Sequence, residues 1–125
     1  MRLLLDTHIF LWAMANDDRL PIEARTLMLA ADEVNVSAAS IWEIAIKVRI
    51  GKLKADAGYL AETIEAAGFV ELPVTGRHAA LVARLRHHHT DPFDRLLIAQ
   101  AMAEPLLLLT VDTQLAAYSD IVRVV

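Results

Sequence analysis

The sequence contains no cysteine. A disulfide framework and a thiolate metal site are therefore closed to it, and a reducing, cytoplasmic compartment is expected. Glycine and proline are scarce, four of each in 125 residues, which excludes collagen-like and linker-like chains. Long hydrophobic runs are missing as well. Apolar residues make up 56% of the chain, yet the candidate runs at 3–5 and 106–109 fall far short of the roughly 20 residues a spanning helix needs. Arg2 is followed by only three apolar residues before Asp6, too few for the core of a signal peptide. No membrane association is expected. A surplus of positive charge is also lacking: 12 Lys and Arg stand against 16 Asp and Glu, for a net charge of −4. Bulk charge would not hold such a chain on nucleic acid. If four carboxylates gather around metal ions, however, the remaining charges balance.

What is present is ample apolar material for one core, with no repeat, linker or break in composition. One domain over residues 1–125 is expected. Short apolar runs alternate with longer amphipathic stretches. Strands are expected at 3–5, 34–36, 69–72, 106–109 and, as an edge strand, 121–125. Helices are expected at 9–15, from Pro21 to about residue 31, from Ser37 or Ser40 to Gly51, from Asp56 to Gly68, from Thr75 through Leu85, and from Asp91 to about residue 103. Pro92 behind Asp91, with Asp94 in the first turn, is a strong helix start. Gly51 stands where a helix stops. Apolar strands separated by helices imply a parallel sheet covered on both faces, a small doubly wound α/β sandwich. Ligands of such sheets bind outside the carboxyl ends of the strands.

Acids stand at those ends. Asp6 closes the first strand and Asp112 follows the fourth; each alone reads equally well as a turn or cap residue. Strands one and four are neighbours in most doubly wound orders, which would bring the two carboxylates together. Asp94 lies on the helical stripe of Leu97, Ile98 and Ala101, the side expected to face the sheet, although stabilisation of the helix terminus also explains it. Glu43 has Lys47 four residues on, the spacing of an ordinary surface ion pair. Crowded together, four carboxylates would repel unless some were protonated or a cation joined them. Mg²⁺ suits such a site, being held by one or two carboxylates with water and substrate phosphate completing its shell.

Four blocks carry a family resemblance: Leu3-Leu4-Leu5-Asp6-Thr7-His8, Val36-Ser37-Ala38-Ala39-Ser40-Ile41-Trp42-Glu43-Ile44, Asp91-Pro92-Phe93-Asp94-Arg95-Leu96-Leu97-Ile98-Ala99-Gln100-Ala101 and Leu109-Thr110-Val111-Asp112. In this order they resemble the PIN domain, and most closely the VapC-type ribonuclease toxins. The resemblance implies a three-layer sandwich around a parallel sheet of about five strands, and an endoribonuclease dependent on Mg²⁺ or Mn²⁺. By motif position it implies an acidic quartet of Asp6, Glu43, Asp94 and Asp112, with Asp6 and Asp94 foremost as metal ligands. Glu43 would reach the metal directly or through water, and Asp112 is the member most variable in role. It further implies a homodimer and a small antitoxin partner. Thr7 and Thr110 are expected to hydrogen-bond the carboxylates, and Asp91 is expected to act first as a cap.

Other features have plainer readings beside functional ones. Lys47, Arg49, Lys52 and Lys54 form a solvated basic run; Lys47, Arg49 and Lys52, with Arg86 and Arg95, are also candidate RNA-phosphate contacts. His87-His88-His89 reads as a solvated helix end before it reads as a metal site. His8 reads as a turn residue that lines the site at most. Trp12 and Trp42 read as core or subunit-interface anchors in preference to stacking platforms. One alternative stays open, a PIN nuclease of RNA processing without an antitoxin; against a PIN-like scaffold that only binds stands the intact acid quartet. A receiver-like signalling module would need an acid after the third strand, where Leu72-Pro73 stands. A haloacid-dehalogenase-like phosphatase would need a second acid in Asp6-Thr7-His8.

Overall fold

The computed structural model describes residues 1–87, 90–118 and 120–125. Along the chain run β1 (Arg2–Leu5), α1 (Thr7–Met14), α2 (Ile22–Ala30), β2 (Glu33–Ser37), α3 (Ala38–Arg49), α4 (Ala57–Thr63), β3 (Val70–Leu72), α5 (Gly76–Leu81), α6 (Pro92–Ala103), β4 (Leu107–Thr110) and β5 (Val122–Val124). All strand pairs are parallel, in the order β3-β2-β1-β4-β5. This order differs from the 2-1-3-4-5 order of receiver-like domains, so the signalling alternative loses its scaffold.

Alternation along β1 divides the core. Leu3 and Leu5 face Ile9, Phe10, Ala24, Ile44 and Leu60 of α1 to α4. Leu4 faces the other way, against Leu97, Ile98 and Ala101 of α6. Each fully buried leucine or isoleucine contributes about 1.5–3 kcal/mol, so the central strands are fixed from both sides. The result is the expected layered α/β sandwich with five strands.

Several boundaries differ from the expectations, for local reasons. α1 begins at Thr7, not near residue 9, because the Asp6 carboxylate itself caps it by accepting the Thr7 N–H. The helix expected from Asp56 to Gly68 stops at Thr63; Glu65, Ala66 and Ala67 are exposed, and the chain closes in a turn at Gly68 with φ +89°. The helix expected to carry Leu85 ends at Leu81 and tightens into a 3-10 turn, Val82–Arg84. The Val82 carbonyl there accepts from Leu85 N–H and from the Arg95 guanidinium. β3 is less covered than an all-apolar strand would be. It lies at the sheet edge, and Val70 and Glu71 are exposed. No helix among the described residues is long and apolar enough to cross a membrane.

Candidate active site

The register of β1 and β4 builds the site's centre. Leu5 pairs with Leu109, and the Asp6 N–H donates to the Leu109 carbonyl at 2.9 Å. Asp6 and Thr110 therefore leave the sheet side by side. The Thr110 hydroxyl donates to Asp6 Oδ2 at 2.6 Å and accepts the Asp112 N–H at 3.0 Å. Asp112 itself is half-buried and caps the turn Thr113–Ala117 by accepting from Gln114 N–H.

Glu43 reaches the same end from α3. Its carboxylate is buried, 4% exposed, so its pairing with Lys47 at 2.6 Å is not the ordinary surface contact that spacing suggested. The Thr7 hydroxyl lies 2.7 Å from Glu43 Oε1 and 2.9 Å from Ser40 Oγ. With one proton to give, it serves the carboxylate best. Thr7 thus joins the two acids: its N–H holds Asp6 and its hydroxyl holds Glu43. Asp6 and Glu43 repel, and burial together with that repulsion raises the Asp6 carboxyl above its usual range, against the lowering by Thr110, Thr7 and His8.

Asp94 is half-buried in the first turn of α6. Asp91 caps that helix, accepting from Phe93 and Asp94 N–H at 2.8 and 3.0 Å, as expected. The Lys47 ammonium links the two groups of acids: it is held on Glu43 and is further stabilised by the charges of Asp91 and Asp94. A connected path of hydrogen bonds and charges thus runs from Asp112 through Thr110, Asp6, Thr7, Glu43 and Lys47 to Asp94.

The donors are all oxygens, the preference of a hard dication. Among the described residues no three acid or imidazole side chains converge closely enough to enclose an ion. Asp6 also carries the electrostatic strain, a buried carboxyl beside a second one, that such a cation would relieve.

The remaining candidates lie in different surroundings. Lys52 is exposed and lines two adjoining grooves beside His8. Arg49 is exposed near the end of α3 and Arg86 is exposed beyond the 3-10 turn. The Arg95 guanidinium binds the Val82 and Arg86 carbonyls and the Tyr118 hydroxyl, tying a loop to α6. His87 is exposed outside any helix, while His88 and His89 lie outside the described residues. Trp12 packs on the core. Trp42 does not; it is 59% exposed, edge-on to Phe93 with ring centroids 5.1 Å apart.

Sequence reasoning missed Ser40, although its place one turn before Glu43 on α3 was available as a signal. It also missed a buried polar chain behind the site. Ser37, the cap of α3, lies 2.5 Å from Gln100 Oε1. The Gln100 amide donates to the Pro73 carbonyl and lies 3.4 Å from His78 Nδ1. His78 Nε2 lies 2.6 Å from Glu104. No local pattern announces contacts of that sequence separation.

Known structures share this architecture. VapBC2 from Rickettsia felis, bound to a DNA fragment from its promoter, aligns with a TM-score of 0.72 at 18% identity, covering 98% of each chain. A toxin–antitoxin complex from Klebsiella pneumoniae aligns at 0.66 and 19% identity, covering 97% of this chain and 95% of that one. VapC20 of Mycobacterium tuberculosis, a Sarcin-Ricin loop cleaving toxin, aligns at 0.65 and 16% identity, covering 94% and 97%. Among curated proteins none matches the sequence. The family model of the PIN domain matches residues 3–121. With nearly the whole chain covered and the sheet in place, the protein belongs to the PIN domain family.

Proposed function

We propose that this protein is a divalent-metal-dependent endoribonuclease and the toxin of a toxin–antitoxin pair. The observation that carries the reading is the chain of contacts that links acids from distant parts of the sequence: Asp6 beside Thr110 and Asp112, Glu43 on α3 tied to Asp6 through Thr7, and Asp94 on α6 within the field of Lys47. The toxin assignment is supported by the similar structures, which include toxin–antitoxin complexes and an RNA-cleaving toxin.

In this reading Asp6 and Asp94 hold Mg²⁺ or Mn²⁺, Glu43 contributes directly or through water, and Asp112 supports the rim. When bound, such an ion activates water and stabilises the leaving oxygen of a phosphodiester. The chain's own residues prepare that pocket. Thr110 and the Thr7 N–H orient Asp6; Lys47 and the Thr7 hydroxyl hold the Glu43 carboxylate in place. Hydrolysis would leave a 5′-phosphate and a 3′-hydroxyl. A homodimer fits the exposed Trp42, which lies edge-on to the half-buried Phe93, an aromatic anchor of the kind enriched at subunit interfaces.

The test is direct. Purified protein is expected to cleave single-stranded RNA, to stop when EDTA is added and to resume with excess Mg²⁺, while Asp6→Asn is inactive throughout. Expressed in a bacterial host, the wild type should arrest growth and Asp6→Asn should not. Cleavage that survives EDTA, or equal toxicity of both chains, would overturn the reading.

A further inference from the structure

A groove of about 490 Å³ opens beside the acidic end, between α1 and the segment that joins α3 to α4. His8, Trp12, Arg19, Lys52, Lys54 and Tyr59 are among its walls. A smaller cavity of about 250 Å³ shares His8 and Lys52 with it and continues to Thr7 and Lys47. The two together form a path from the groove to the residues that hold Asp6 and Glu43.

Two properties of this groove point to one kind of occupant. The first is a fixed flat cation. Arg19 lies over the Trp12 ring, 5.6 Å from its centroid. Asp17 holds its guanidinium edge through Nε and Nη2 contacts of 2.7–3.2 Å and also accepts the Arg19 N–H. This pairing lowers the Asp17 carboxyl to about 2, so the clamp stays ionised at any working pH. The Arg19 side chain remains 71% exposed, so its guanidinium is accessible from solvent. The second property is a pair of lysines outside any ion pair, on a groove whose walls also include the carboxylates of Asp17 and Asp56. Among the described residues no ion pair involves Lys52 or Lys54. Flat cationic surface beside free lysines suits an unpaired nucleobase with its flanking phosphates: bases stack on aromatic rings and guanidinium planes, while lysines take the backbone.

We propose that the Trp12–Arg19 cation–π pair is a nucleobase subsite, holding a base that flanks the scissile bond while Lys52 and Lys54 contact adjacent phosphates. The proposal rests on the nuclease reading of the neighbouring acids and adds to it a determinant of which RNA positions are recognised.

The test measures binding, so that it is separate from cleavage. In the Asp6→Asn background, fluorescence anisotropy gives the affinity for a short unstructured RNA and for the same strand with single abasic positions scanned along it. At one position the missing base should weaken binding about tenfold. Arg19→Lys keeps the charge and the pairing with Asp17 but removes the plane; it should abolish that penalty, so that intact and abasic strands bind alike. Trp12→Ala should do the same, and Trp12→Phe should restore the difference, which separates stacking from any loss of fold. Lys52→Gln with Lys54→Gln should weaken both strands equally and reduce the salt slope by about 1.4.

An abasic penalty unchanged in Arg19→Lys and Trp12→Ala would overturn the subsite. So would unchanged RNA affinity accompanied by lost binding of a protein partner, which would assign the groove to that partner. Base-dependent binding in a chain whose wild type does not cleave RNA would leave the subsite standing and remove the nuclease reading.

Discussion

Thr110 donates its hydroxyl proton to Asp6 at 2.6 Å while accepting the backbone N–H of Asp112 at 3.0 Å, so one side chain couples both strand-end acids. It is buried, with 0% exposure, and no water can replace it cheaply. Thr110→Val should therefore cost about 1–3 kcal/mol of stability, the cost of leaving buried polar groups unpaired, and Thr110→Ser should recover most of it. Thermal or urea unfolding measures both. Equal stability of wild type and Thr110→Val would show that the hydroxyl does not couple the two residues.

Asp6 is raised above its ordinary value of 3.8, first by burial and then by Glu43. The native state thus binds this proton more tightly than the unfolded chain does. Ionised Asp6 costs stability at pH values above its folded pKa, and the cost fades as the pH falls through that value towards 3.8. In metal-free buffer Asp6→Asn should melt several degrees above wild type near neutral pH, and the gap should close on acidification. A gap that is absent near neutral pH, or that widens in acid, would contradict the stated environment of Asp6.

Lys47 neutralises the buried Glu43 and lies in the field of Asp91 and Asp94. Lys47→Gln should destabilise the metal-free protein by about 1.5–3 kcal/mol, the range for hydrogen bonds to charged groups. It should also enlarge the rise in Tm on adding Mg²⁺, because the cation then meets an uncompensated pocket. Differential scanning calorimetry with and without Mg²⁺ reads both effects. A smaller Mg²⁺ response than that of wild type would place Lys47 outside the acidic pocket.

The histidine behind the site predicts an acid limb. Thr75 N–H donates to His78 Nδ1 at 3.1 Å, so Nε2 carries the proton that faces Glu104 at 2.6 Å. This contact lowers the Glu104 carboxyl below 4.5. Its contribution is complete above 4.5 and is lost as the pH falls through the lowered value. Glu104→Gln should thus flatten the fall in stability below 4.5 without changing the Mg²⁺ response. A pH–stability curve parallel to that of wild type would refute the pairing.

Much of this was legible in the sequence because strand ends and helix starts are written locally. Asp6 follows a buried leucine run, and Asp91-Pro92 announces α6 with Asp94 one turn in. The sheet neighbours β1 and β4 followed from the alternation of elements. Glu43 was harder: the spacing to Lys47 describes a helix face, and only the packing of α3 against α1 and α6 decides that this face is buried. Thr7 was expected to hydrogen-bond the carboxylates, and does; that its hydroxyl reaches Glu43, 36 residues away, only the tertiary packing decides. The Arg19–Trp12 contact was hidden too, because it depends on the path of the turn through Asn16 at φ +49° that brings Arg19 back over α1.

Acids distant in the chain are proposed to act together on one hard dication. Titrating Mn²⁺ into the protein, with free Mn²⁺ followed by electron paramagnetic resonance, tests it without any substrate. Wild type should bind Mn²⁺ and release it to excess Mg²⁺, whereas Asp6→Asn and Asp94→Asn should each weaken binding at least about tenfold, as loss of groups in a metal site does. Mn²⁺ affinity that is the same in all three proteins would contradict the account.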